Sequence, residues 1–244
     1  MIIDCELYLL DFPVAGRVYD IHALELLLDE AGIDLAVLMP PVTLKPDNYW
    51  MNERIQGNSR FVPCALLNPH FGDEAVAELE TGAREWGIRG LKLMPTKHGF
   101  RLNTKTVRQL VSKCAELNIP VSVHSEGGWA NPLFIGVLAE AFPDVPVIMD
   151  HMGYRYWVAE AIEAAKRTPN LYLATTAVME PHFIAMAIEA VGVERIVFGS
   201  NGPLVIPKMQ VDVVKSLQLA PEDEAKVLGG TLARLYGIGK EIGD

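Results

Sequence analysis

Side chains able to do chemistry stand at the ends of short apolar runs. Glu6 and Tyr8 lie one residue apart in IIDCELY (2–8), so an extended chain projects both to one face. Lys92 interrupts the apolar run IRGLKLM (88–94). PVSVH (120–124) ends on His124, with Ser125 and Glu126 directly after it. PVIMDH (146–151) ends on Asp150 and His151, and RIVFG (195–199) leads into Ser200, Asn201, Gly202 and Pro203. Imidazole and carboxylate are the donors that a zinc or manganese site requires. Imidazole is also the side chain best suited to proton transfer near neutral pH.

Plainer roles remain open for each of these. A histidine at a strand end also caps loops or hydrogen-bonds inside a core. Lys92 can snorkel to solvent or pair with a carboxylate. Asn201, set among small residues, also suits a simple turn. Glu6 has apolar flanks in Ile2, Ile3, Leu7, Leu9 and Leu10, which argue against exposure. His22, His70, His98 and His182 fall in loops or at helix starts, with His98 the best placed, on the loop after the fourth run.

The elements that must position these groups follow from periodicity. Strand-like runs occur at 2–8, 34–39, 61–67, 88–94, 120–124, 146–151, 170–175 and 195–199. Helical spacing of apolar residues fills the gaps at 22–32, 74–87, 103–118, 132–143, 158–169, 182–192 and 221–237. Gly32 and Gly87 mark helix ends, Asn103 a candidate N-cap, and Pro221 a helix start. Strands alternating with helices at this pitch form parallel βα units. The expectation is one domain over residues 1–244, a closed (β/α)8 TIM barrel with the chemistry at the C-terminal ends of its strands. An open doubly wound sheet is the rival, weakened by the lack of a GxGxxG after the first run.

Half of the 244 residues are hydrophobic and 21% are charged, enough apolar material for a large core. The net charge of −10 argues against nucleic-acid and membrane-surface partners and leaves a small-molecule substrate. Cys5, Cys64 and Cys114 form no CxxC pair, which suits a reducing, cytoplasmic setting. MIIDCELYLL lacks a basic leader and reads as a strand rather than a signal peptide.

In order along the chain, MIIDCELYL, GIRGLKLMP, IPVSVHSEG, VPVIMDHMG, RIVFGSNGP and LGGTLARLYGI resemble segments of the amidohydrolase-related family, metal-dependent TIM-barrel hydrolases and decarboxylases. The resemblance implies one divalent ion, zinc with manganese as the alternative, on Glu6, His124, His151 and Asn201. It implies catalytic roles for His151, Asn201 and Lys92, substrate contacts from Tyr8, Lys92 and Ser125, and a homodimer. Three segments depart from the family pattern: its HxH reads Glu6-x-Tyr8, its strand-8 Asp is Asn201, and its tail Asn is Thr231. Asn201 cannot act as a general base toward water, so decarboxylation or weak hydrolysis is expected over strong water activation. The competing expectation is a metal-free lapsed enzyme that serves as a small-molecule-binding, regulatory or structural protein.

Overall fold

The computed structural model describes residues 1–239. Each expected run forms a strand: β1 (Ile3–Tyr8), β2 (Leu35–Met39), β3 (Phe61–Pro63), β4 (Ala65–Leu66), β5 (Leu91–Leu93), β6 (Val121–His124), β7 (Val147–Asp150), β8 (Leu171–Ala174) and β9 (Ile196–Val197). All pairings are parallel, in the orders β1-β2-β3 and β4-β5-β6-β7-β8-β9. β3 and β4 are two halves of one run that passes its bonding from one neighbour to the next. Cys64 N donates to Leu38 O at 2.9 Å, and Ala65 N to Gly90 O at 3.0 Å.

The last strand returns to the first. Cys5 N donates to Phe198 O at 3.0 Å, Tyr8 N donates to Gly202 O at 2.8 Å, and Leu7 forms a parallel bridge with Gly202. These bonds leave neither sheet with a free partner edge at β1, and the architecture is the TIM barrel.

The core has two layers. Leu7, Leu38, Leu91, Val123, Met149 and Leu173 pack outward against the helices. Ile3, Cys5, Val37, Cys64, Ile148 and Val197 fill the interior, where Leu232 and Tyr236 of the last helix join them. That helix, Pro221–Tyr236, contains a wide turn at Lys226–Gly230. A Cβ on Gly229 would overlap Met1 O, so glycine lets this turn seat under the start of β1.

Among the described residues the structure adds α-helices that the periodicity did not show: Asn48–Ile55 between β2 and β3, the short Pro95–His98 after β5, and Pro207–Lys215 after β9. The expected cap at Asn103 moves by one residue: the helix is Lys105–Leu117 and Thr104 holds the capping position without a side-chain bond. Gly32 caps Ile21–Ala31 in the left-handed region, φ 69°, as its position implied. No helix among the described residues is long and apolar enough to cross a membrane.

Candidate active site

The register of β1 shifts against β2 between Asp4 and Leu7. A bulge of this kind re-aims side chains. Ile3 and Cys5 point into the barrel, and Glu6 and Tyr8 both line a cavity of about 600 Å³ at the strand ends. His124, His151 and Asn201 line the same cavity, so five residues expected at the mouth converge there: Glu6, Tyr8, His124, His151 and Asn201.

Lys92 and Ser125 take other places. Lys92 is fully buried, and its ammonium donates to Glu6 Oε1 at 2.5 Å and to Asp150 Oδ2. The expected contact with a substrate carboxylate is corrected accordingly, because both carboxylates that the ammonium meets belong to the protein. Ser125 is also fully buried; it donates to Asp150 O and accepts from Gly153 N at 2.8 Å, so it braces the backbone rather than facing a ligand.

The carboxylates around Lys92 are held on several sides. Tyr8 donates its hydroxyl to Glu6 Oε1 at 2.7 Å. Ser122 Oγ lies 2.8 and 2.9 Å from the two Asp150 oxygens. Burial opposes ionisation of Glu6, but the Lys92 ammonium outweighs it and holds the carboxyl down at about 2. Burial pushes Asp150 up to about 6 in spite of the same ammonium. Burial likewise raises the Tyr8 phenol well above its ordinary value, with Glu6 adding to the effect.

The two imidazoles form a relay. His151 Nδ1 sits 2.9 Å from Thr176 O, which can only accept, so this nitrogen carries a proton. His151 Nε2 and His124 Nδ1 are 2.9 Å apart. If His124 donates across that gap, its Nε2 is left as a bare base. If His151 donates, His124 Nε2 carries a proton and is an acid. Burial, with His151 and Lys92 nearby, keeps the His124 ring well below its usual range. Glu126 Oε2 stands 3.7 Å from His124 Nε2, on the loop after β6.

The backbone here is strained. His151, Met152, Gly153, Tyr154 and Arg155 all have positive φ, as does Asn201 at 63°. Non-glycine residues in that region cost about 1–3 kcal/mol each, and such strain gathers at functional sites.

Four buried polar atoms without a protein partner belong to residues lining this one cavity: Glu6 Oε2, His98 Nδ1, His124 Nε2 and Glu126 Oε1. Lys97 adds an exposed cation to the wall, while Leu10, Phe12, Val42, Leu44, Met94 and Leu204 make it apolar. Glu126 follows His124 and Ser125 in the sequence, but neither it nor Lys97, in the short helix Pro95–His98, is among the expected site residues. The only signal was their position just after strands 5 and 4 of the alternation.

A family model for amidohydrolases matches residues 8–238. The chain belongs to the amidohydrolase family. Solved structures that share its fold include a TIM-barrel protein from Bordetella bronchiseptica, 21% identical, TM-score 0.81, with 97% of this chain and 98% of that one covered. A dihydroxybenzoic acid decarboxylase from Polaromonas sp. JS666, solved with manganese and 2-nitroresorcinol, is 17% identical, TM-score 0.78, with 98% of each chain covered. A probable 2-pyrone-4,6-dicarboxylic acid hydrolase from Acinetobacter baumannii, solved with citric acid, is 17% identical, TM-score 0.72, covering 97% and 99%. No curated protein sequence matches the chain.

The family implies a divalent cation, and the donors here do not fit one as they stand. Such ions take about three protein donors or more. Glu6 Oε1 is taken by Lys92 and Tyr8, and both ring nitrogens of His151 are taken by Thr176 and His124. Glu6 Oε2 and His124 Nε2 remain. His124 Nε2 stands 3.7 Å from Glu126 Oε2, and Glu6 Oε2 lies 4.0 Å from the committed His151 Nε2. Among the described residues no three His, Cys, Asp or Glu side chains are grouped to hold a metal ion.

Proposed function

We propose that this amidohydrolase-family chain is an enzyme acting on a small carboxylate- or carbonyl-containing substrate, and that its reaction is decarboxylation. One observation carries the reading: unpartnered buried polar atoms of Glu6, His98, His124 and Glu126 face a single cavity that also holds Lys97. Buried polar atoms left without partners carry a large cost unless a ligand or water meets them. A cavity with apolar walls and a few convergent polar groups is the usual form of a small-molecule site.

The chemistry follows from the relay. Lys97 attracts the substrate carboxylate. With the pair in its acid form, His124 Nε2 gives a proton to the carbon that bears the carboxylate. The bond to that carboxylate then breaks, its electrons return to the substrate, and carbon dioxide leaves. Water restores the proton to the pair. Asn201 offers no carboxylate to take a proton from water, which disfavours hydrolysis. Decarboxylases and a hydrolase both share this fold, so the fold alone does not choose.

The test is a panel of small aromatic and aliphatic carboxylic acids incubated with the purified protein, with product and carbon dioxide followed by mass spectrometry. Turnover that His124→Ala abolishes supports the reading. Cleavage of esters or lactones without decarboxylation makes it a hydrolase. Saturable binding of panel acids with no turnover identifies a small-molecule-binding protein instead.

A further inference from the structure

The ammonium of Lys92 raises a question about charge that the family resemblance leaves open. It does not line the cavity itself; wholly buried, it stands within hydrogen-bonding distance of Asp150 and of Glu6, which does line the cavity. A carboxylate on β1 is a natural anchor for a divalent ion, but here one of its oxygens already bonds two hydrogen donors, Lys92 and Tyr8. A dication on the other oxygen, Glu6 Oε2, would stand a few ångströms from a fixed, wholly buried positive charge. Like charges repel more strongly there than in bulk water, because the buried ammonium is weakly screened.

The other expected ligands offer little more. His151 has no free nitrogen, and His124 keeps one, 3.7 Å from Glu126 Oε2. Tyr8 is a hydrogen donor to Glu6, and Asn201 has no charge to offer. Tyr8 and Asn201 thus stand where the family pattern has an imidazole and a carboxylate, while Lys92 supplies a cation of its own.

We propose that this site works without a divalent metal ion, the ammonium of Lys92, fixed between Glu6 and Asp150, standing as its permanent cation. The inference does not depend on which reaction the site performs. It concerns occupancy, so a failure to find activity leaves it unaffected.

The test uses the wild-type protein first. It is purified without chelator, and its zinc and manganese content is measured by plasma mass spectrometry. Each ion is then titrated in by calorimetry, and the melting midpoint is compared in 1 mM manganese and in chelator. The expected result is well under a tenth of an equivalent of either ion, no saturable heat at micromolar ion, and the same midpoint in both solutions. One equivalent of metal that falls away in Glu6→Gln or His124→Ala overturns the proposal, as does a midpoint raised by several degrees in manganese. Lys92→Met gives the second arm. It frees Glu6 and Asp150 and removes the repelling charge, so affinity for manganese should rise at least tenfold. A folded Lys92→Met protein with no gain overturns the assignment of Lys92 as the cation. Because the wild-type measurements need no variant, misfolding of Lys92→Met does not rescue the idea.

Discussion

Replacing Lys92 by Met is the most informative perturbation of the fold as well. The methionine side chain is close in volume and apolar, so packing changes little, but two buried carboxylates lose their counter-charge. Removing one partner from a buried pair costs about 3–5 kcal/mol. Carboxylate oxygens that shared one ammonium lie roughly 4 Å apart, where like charges repel by about 4 kcal/mol at an effective dielectric of 20. The two figures agree on a loss of about 4 kcal/mol near pH 8. At about 2–4 °C per kcal/mol for a chain near this size, the melting midpoint falls by roughly 8–16 °C. The sign of the pH dependence separates this cause from simple misfit. In the wild type, Glu6 is held down at about 2, so it stays ionised from pH 5 to 8. In the variant, the uncompensated carboxylates bind protons more tightly folded than unfolded. Stability from that source is present at low pH and lost as pH rises, by about 1.4 kcal/mol per pH unit for each proton retained. Urea unfolding of both proteins at pH 5 and 8 should therefore show a deficit near 4 kcal/mol at pH 8 that shrinks to about 1–2 kcal/mol at pH 5. An equal deficit at both pH values, or one below about 1 kcal/mol throughout, refutes the electrostatic account.

Three further outcomes follow from the same structure. Lys97→Gln should weaken binding of a small carboxylate about tenfold, with 0.5 M salt weakening the wild type but not the variant; equal salt sensitivity in calorimetry would remove Lys97 from the site. Gly199→Val should destabilise by about 1–3 kcal/mol or more, since even a Cβ there overlaps Thr176 and Cys5; an unchanged melting curve contradicts the packing. Asp4 is raised to about 7, chiefly by burial against the opposing bonds from Ser200 and Glu6, so its contribution is present at acid pH and lost as pH rises through 7. Asp4→Asn should remove about 1.4 kcal/mol per pH unit of slope between pH 4 and 7, and identical slopes in chemical unfolding would place the titration elsewhere.

The barrel was legible because each strand is a short apolar run and most crossing helices repeat at 3.6. The helices that escaped notice are short and mostly polar at the surface. Asn48–Ile55 buries only Asn48, Met51 and Ile55, and Asn48 is inside because it bonds Leu66 in both directions. A side chain serving as a bracket for a strand has no hydrophobic signature. Asn103 looked like a cap because its type is right; the helix starts two residues later, and a boundary of that kind shifts easily.

At the site, position was legible and partnership was not. Strand ends in a barrel share one mouth, so placing Glu6, Tyr8, His124, His151 and Asn201 together needs only the alternation of elements. Lys92 lay open to pairing with a carboxylate, but its partners are 86 and 58 residues away, beyond any local pattern. The left-handed path of residues 151–155 was equally hidden, as only Gly153 among them favours it.

Charge links the relay to the triad beneath it. Lys92 with ionised Glu6 and Asp150 carries one net negative charge in a buried space, which is costly to leave unbalanced. One added proton on the neighbouring imidazole pair would bring the cluster to neutrality, although burial keeps the His124 ring well below its usual range; Glu6 Oε2 stands 4.0 Å from the pair at His151 Nε2. A dication beside Lys92 would carry the cluster to one net positive charge and work against the same proton. The charge that disfavours a metal beside Lys92 is thus the same charge that leaves room for one transferable proton on the imidazole pair, the form that the proposed decarboxylation requires of it.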